Sequence, residues 1–183
     1  MIESGFKYSI NNANLISKVK AHFYSNKHLI ENNSAKQNTQ MEMDSFWEKN
    51  KDLYAQLNRT TYPKGNGYFI LRSWLKYYDV NDFSGLHQEQ ADPRSRKENE
   101  YSNSILIERS EDLIGGDLVI AGDGQEFDYS GSINENNIRE RLLTRSVNTP
   151  GEVIVWDKYA VHGVAKVEKG HRLVLVCVKG LKC

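Results

Sequence analysis

Tyr68-Phe69-Ile70-Leu71-Arg72-Ser73-Trp74-Leu75-Lys76-Tyr77-Tyr78 and, further on, Arg172-Leu173-Val174-Leu175-Val176-Cys177-Val178-Lys179 decide the architecture. Both stretches are dense in aromatic or β-branched side chains, which fit a pleated surface and crowd a helix. Neither contains Gly or Pro, so nothing breaks them. Further strands are expected at Leu86–Gln90, Ser102–Glu108, Asp117–Ala121, Glu152–Trp156 and Gly163–Val167. Short strands following an N-terminal helical region predict a mainly β chain with N-terminal helices. The arrangement they suggest is a sandwich or jelly-roll barrel with helices packed on one sheet. One domain is expected over 1–183, with 1–62 as helical N-terminal support and 68–180 as the jelly-roll core.

The N-terminal part carries helical signals. Asn12 or Asn14 can cap a helix with Leu15, Ile16, Val19 and Phe23 on one face. Asp44 can cap a second, with Phe46, Leu53 and Leu57 on one stripe and Trp47 and Tyr54 beside it. Between them, Glu31 to Glu42 is polar and reads as a solvated connection. Pro63-Lys64-Gly65-Asn66-Gly67 ends the second helix. Gly122 to Pro150 interrupts the strands. Its Ser132-Ile133-Asn134-Glu135 is a capping-box pattern ahead of Ile138 and Leu142, so one short helix is expected. That insertion could be a lid or a plain surface loop.

Composition excludes some partners. The chain has 183 residues and no formal net charge, which gives no bulk attraction to nucleic acid or to a membrane surface. No apolar run approaches the roughly 18 residues of a membrane span, and the first residues lack a secretion-signal pattern. Of the two cysteines, Cys177 sits in an apolar run as a small core residue and Cys183 is the last residue. A structural disulfide is not expected, which fits a reducing cytoplasm.

The chemistry concentrates in a few positions. In Gly85-Leu86-His87-Gln88-Glu89, alternation along a strand sends His87 and Glu89 to one face. His162 lies just before a predicted strand and could join them. Two imidazoles and a carboxylate can occupy one face of an iron(II) ion and leave three positions open. Each histidine alone could equally be an ordinary polar residue. Arg172 enters an apolar strand, where a charge is costly unless paired. It could grip a small dicarboxylate through its planar fork, sit at the exposed strand mouth, or pair with Glu168. His171, on the opposite parity, is expected to face solvent.

These pieces resemble the 2-oxoglutarate- and iron(II)-dependent dioxygenases, especially the prolyl 4-hydroxylase-like branch. The resemblance spans roughly Phe69 to Gly180. Leu75 to Glu89 is similar to the family's tyrosine-bearing strand leading to the first metal histidine. Gly115-Gly116-Asp117-Leu118-Val119-Ile120 resembles its Gly-Gly-acid-apolar strand. Gly151-Glu152-Val153-Ile154-Val155-Trp156 with His162-Gly163-Val164, Val167, Gly170 and Arg172 resembles its C-terminal signature. The resemblance implies a double-stranded β-helix, a cupin-like jelly-roll variant. It implies His87, Glu89 and His162 as catalytic metal ligands, Arg172 on the distal carboxylate of 2-oxoglutarate, and Tyr78 touching that cosubstrate, with Tyr77 adjacent. Ser102 and Ser104 are further hydroxyl candidates. Fe(II), 2-oxoglutarate and O2 are the implied cofactors, with ascorbate as a candidate reductant. Hydroxylation of an unactivated C–H bond with release of succinate and CO2 is the implied reaction.

One departure stands out, since Glu89 occupies a position where this branch usually has Asp. Asp92 falls outside the i,i+2 geometry. A retained carboxylate disfavours halogenation. A prolyl residue in a peptide or a free amino acid is the expected substrate. Ala91 to Glu100 and the arginines Arg139, Arg141 and Arg145 could border the site or form solvated surface. No basic stripe with interleaved aromatics points to nucleic acid. The alternatives are a cupin-like metal enzyme that does not use 2-oxoglutarate and a non-catalytic jelly-roll binding module. Oligomeric state leaves no mark in the sequence.

Overall fold

The computed structural model describes residues 5–30, 38–65, 67–88, 100–121, 142–157 and 160–181. In chain order the elements are β1 (Phe6–Ser9), α1 (Ala13–Asn26), a 3-10 turn (Lys27–Leu29), β2 (Thr39–Glu42), α2 (Asp44–Lys49), α3 (Lys51–Thr60), β3 (Tyr68–Tyr78), β4 (Ser84–His87), β5 (Tyr101–Arg109), β6 (Ile114–Gly115), β7 (Leu118–Ala121), β8 (Leu142–Arg145), β9 (Glu152–Asp157), β10 (His162–Val164), β11 (Val167–Lys169) and β12 (Arg172–Leu181). A six-stranded sheet runs β1-β9-β5-β12-β3-β2, a four-stranded sheet runs β4-β10-β7-β8, and β11 pairs with β6. The described ladders are antiparallel. Among the described residues no helix is long and apolar enough to cross a membrane.

Strand parity sorts the large sheet into two faces. Leu75 and Tyr77, Ile105 and Ile107, Val153 and Val155, and Leu173, Leu175 and Cys177 pack against the helices, where Leu15, Val19, Phe23, Phe46, Leu53 and Leu57 meet them. Trp74 and Tyr78, Leu106, Ile154 and Trp156, and Val174, Val176 and Val178 face the small sheet, meeting Leu118, Ile120 and Val164. β12 is apolar at successive positions because both its faces are covered. Each fully buried Leu, Val or Phe contributes roughly 1.5–3 kcal/mol. The free thiol of Cys177 is a core residue, as expected.

Several expectations for the N-terminal part need correction. Residues 1–62 are not helical throughout, since β1 and β2 are edge strands paired with β9 and β3. Four residues are too few for a clear period, and backbone pairing with an existing sheet outweighs local propensity. β2 also occupies the end of the stretch expected to be a solvated connection; residues 31–37 of that stretch lie outside the described residues. Asn12 caps α1 as expected, its Oδ1 accepting from the Leu15 N–H at 2.9 Å. Asp44, by contrast, is the first residue of α2, whose cap position is Met43. The expected second helix is two helices, because Asn50 leaves helical geometry and its side chain donates to the Phe46 carbonyl at 2.9 Å.

Two further differences concern the C-terminal half. Leu142 belongs to β8, paired with β7, rather than to a helix. The capping box Ser132–Glu135 and Ile138 lie outside the described residues. The strand expected over Gly163–Val167 is two, β10 and β11. The chain turns between them where Ala165 N donates to Asp117 O and Lys166 O accepts from Gly116 N.

Candidate active site

β4 and β10 bring the two histidines together. His162 is the direct cross-strand partner of His87, and their ring centroids are 4.4 Å apart at 50°. Gly163 makes this approach possible. A Cβ there would lie 2.7 Å from the Ser84 carbonyl oxygen, so any side chain would push β4 away. Each ring is held by its own chain. His87 Nδ1 lies 2.7 Å from the Gly85 carbonyl and His162 Nδ1 lies 3.1 Å from the Ala160 carbonyl. A carbonyl only accepts, so both Nδ1 atoms carry the proton, and in the neutral ring the lone pair belongs to Nε2. That is the tautomer a metal-binding histidine adopts when a backbone carbonyl orients it. His162 is buried and His87 half-buried. Glu89 lies outside the described residues, and among the described residues no three His, Cys, Asp or Glu side chains form a metal-binding group.

Arg172 and Tyr78 are cross-strand partners on β12 and β3. Both face the space between the sheets, with the guanidinium carbon 5.8 Å from the Tyr78 ring centroid. Tyr77 points the other way and stacks on Phe23. Arg172 is only 3% exposed, so it does not sit at an exposed mouth. Glu168 is exposed, and among the described residues no ion pair joins it to Arg172. Instead Nη1 donates to the Gly116 carbonyl, while the buried Nε–H has no hydrogen-bond partner among the described residues. Burial pulls the guanidinium below its ordinary pKa; Tyr78 and Asp117 oppose that shift and Arg109 adds to it.

The Gly115-Gly116 pair makes room here. Both have positive φ. A Cβ on Gly115 would collide with the Lys166 carbonyl, and one on Gly116 would come 3.2 Å from Arg172 Cδ. Only residues without a side chain let this turn pass beneath the arginine.

Tyr78, His87, Ser104, Trp156, His162 and Arg172 line one cavity, and Leu118, Val164, Val174 and Val176 supply apolar wall. The site residues expected from sequence that fall within the described regions therefore share a single space. Ser104 lines it and Ser102 does not. His171 does not face solvent as expected. It stacks on Tyr77 at 5.6 Å and lies 4.0 Å from Glu108, with a third of its side chain exposed, because its parity sends it to the helix-covered face. Arg145 donates to the Gly5 carbonyl at 3.2 Å, anchoring the start of β1. Arg139, Arg141 and residues 91–99 lie outside the described residues, whereas Glu100 is buried. Sequence reasoning missed Trp156 and Lys76 as lining residues. Their parity with Ile154 and Tyr78 was the available signal.

No family model matches the chain, and no similar curated protein was found. Solved structures are similar in fold. The alpha-ketoglutarate-dependent epimerase SnoN from nogalamycin biosynthesis superposes with a TM-score of 0.72 at 9% identity, over 97% of this chain and 76% of that one. A Pseudomonas putida prolyl-4-hydroxylase gives 0.61 at 12% identity, over 99% and 94%. HygX from Streptomyces hygroscopicus, solved with nickel and 2-oxoglutarate bound, gives 0.64 at 10% identity, over 97% and 83%. The fold is the double-stranded β-helix of these oxygenase structures, as the sequence resemblance implied.

Proposed function

We propose that this chain is a 2-oxoglutarate- and iron(II)-dependent oxygenase of the prolyl 4-hydroxylase-like kind. In this reading His87, Glu89 and His162 hold the metal, and Arg172 with Tyr78 takes the distal carboxylate of 2-oxoglutarate. The observation that carries it is the opposed His87–His162 pair sharing a cavity with a buried guanidinium whose Nε lacks a partner. The donor set fits these groups. Imidazoles with the lone pair on Nε2 suit a ferrous ion, and an orphaned guanidinium N–H suits a carboxylate oxygen. Glu89, two residues after His87 in the sequence and past the end of β4, is the carboxylate we assign as the third ligand.

When bound, the metal and cosubstrate supply the oxidising chemistry, in which O2 is consumed, 2-oxoglutarate yields succinate and CO2, and an unactivated C–H bond is hydroxylated. The chain's own task is orientation and exclusion of water. The Gly116 carbonyl aims the guanidinium before any ligand arrives. The carbonyls of Gly85 and Ala160 fix the imidazole planes. Leu118, Val174 and Val176 keep the surroundings dry, which strengthens every charge interaction inside.

A small molecule or a peptide is the substrate, with a prolyl residue or a free amino acid proposed first. The likeness to a bacterial prolyl-4-hydroxylase supports that order. A reducing cytoplasm is the proposed location, in keeping with the buried free thiol of Cys177.

Isothermal titration of 2-oxoglutarate with manganese as an inert stand-in tests the class. Binding should require metal and should vanish in His87→Ala. Metal-independent binding, or none, would refute the reading in favour of a cupin-like enzyme or a binding module. Succinate release with iron, ascorbate and O2 across peptides and amino acids then identifies the substrate.

A further inference from the structure

Trp156 carries a donor that the scheme above leaves idle. It stands on the cavity face of β9, is 2% exposed, and its ring lies 4.7 Å from that of His162 at 43°. Its Nε1–H is buried without a hydrogen-bond partner among the described residues. Of the other indoles, Trp47 Nε1 donates to Ser73 Oγ at 2.7 Å, while Trp74 Nε1 is buried without a partner among the described residues but does not line the cavity. It is therefore the cavity position of Trp156 together with its idle donor that points to a ligand. If position 156 served packing alone, phenylalanine would fill it without stranding a donor.

Among the described residues, Arg172 Nε also lines the cavity without a hydrogen-bond partner. In the sheet, β9 and β12 flank β5, but the register sets Trp156 level with Ser102 and Val178, and Arg172 level with Arg109. The two backbones therefore lie two strands across and six residues along, on the order of 20 Å apart, and it is their side chains that reach one cavity. Ser104, on β5 between them, lines the same cavity. A ligand with acceptor oxygens at both ends would answer both donors.

We infer that the Trp156 indole N–H is a second recognition donor for the bound oxoacid, taking a carboxylate oxygen at the end beside His162 while Arg172 takes the distal carboxylate. This rests on the function proposed above and adds a residue to it. Trp156→Phe keeps the ring and removes the donor. It should weaken 2-oxoglutarate binding about tenfold or more, the usual cost of losing a hydrogen bond to a charged acceptor. Manganese affinity should stay within about twofold, because a merely structural defect would loosen both.

A second measurement needs no variant protein to fold. In the ¹⁵N-labelled full chain loaded with zinc as a diamagnetic stand-in, the Trp156 indole resonance should move downfield and exchange more slowly on adding 2-oxoglutarate. An unshifted resonance at saturation, or a folded Trp156→Phe with wild-type oxoacid affinity, overturns the inference and leaves the proposed function standing. A wild-type chain that binds no oxoacid overturns both.

Discussion

Gly163→Ala tests whether the spacing of two strands sets the histidine pair. The added Cβ would lie 2.7 Å from the Ser84 carbonyl oxygen and 3.2 Å from the carbonyl carbon and oxygen of Gly85. These are backbone atoms of β4, so no side chain can swing aside. The closest contact falls about 0.7 Å short of ordinary van der Waals distance. The relief available is to move β4 from β10 at the step that pairs His87 with His162. Overpacking of this kind costs about 1–3 kcal/mol, which thermal unfolding would register as a modest loss in a protein that still folds. The effect on metal binding should be disproportionate, because ligand distances tolerate only about 0.2 Å. A loss of roughly 10–100-fold in manganese affinity is expected, the range seen when the support of a metal ligand is disturbed. Gly85→Ala is the comparison, since its Cβ would meet nothing within 4 Å and should cost far less. If folded Gly163→Ala binds manganese as tightly as the wild type, the close approach of β4 to β10 is not what assembles the site.

Arg172→Met should abolish 2-oxoglutarate binding while leaving the melting temperature of the ligand-free protein unchanged or higher, because it removes a buried charge with no described counter-ion; a large drop in that temperature would contradict the reading. Lys179→Met should destabilise by roughly 2–4 kcal/mol in urea titration, since Lys179 Nζ donates to the carbonyls of Asn58, Thr61 and Pro63 at 2.7, 2.9 and 2.8 Å. Glu152 accepts from the backbone N–H groups of Asn148 and Thr149 and meets Lys7 at 3.1 Å; these contacts, the Asn148 bond first, hold its carboxyl below the ordinary carboxylate range. Its stabilisation is therefore full above the unfolded carboxyl's pKa and is lost as pH falls through the folded value. Urea midpoints of wild type and Glu152→Gln should differ at neutral pH and converge as the pH falls below the folded carboxyl's lowered pKa.

How much was legible from the residues depended on the length over which a pattern repeats. β3 was delimited at both ends, because eleven residues of aromatic and β-branched side chains leave no other reading. β12 was found for the same reason. β1, β2 and β8 were not, because four residues carry too little periodicity and their pairing comes from the neighbouring sheet. The choice between Tyr77 and Tyr78 was unreadable from adjacency alone. It follows once the register pairs Arg172 with Tyr78 and parity sends both to one face. Convergence of His87 with His162 was expected from chemistry, but its closeness depends on Gly163, a residue whose role appears only when Ser84 is seen across the ladder.

The polar atoms left unsatisfied in the cavity bear on why the site is built as it is. Outside the cavity Trp47 has a serine partner and Lys179 three carbonyls, while Trp74 Nε1 is buried without a partner among the described residues. Arg172 Nε and Trp156 Nε1, both lining one cavity, also go uncompleted among those residues. Such groups lower the stability of the empty protein, and a ligand that supplies the acceptors would return it. Binding at a hundred times the dissociation constant adds about 2.7 kcal/mol to the unfolding free energy. An oxygen-rich ligand would offer acceptors to both donors. A hydrocarbon of the same size, offering no acceptor, would leave both donors stranded. Recognition would then come mainly from the penalty the site imposes on ligands lacking oxygen at both ends, with the apolar walls adding affinity but little discrimination.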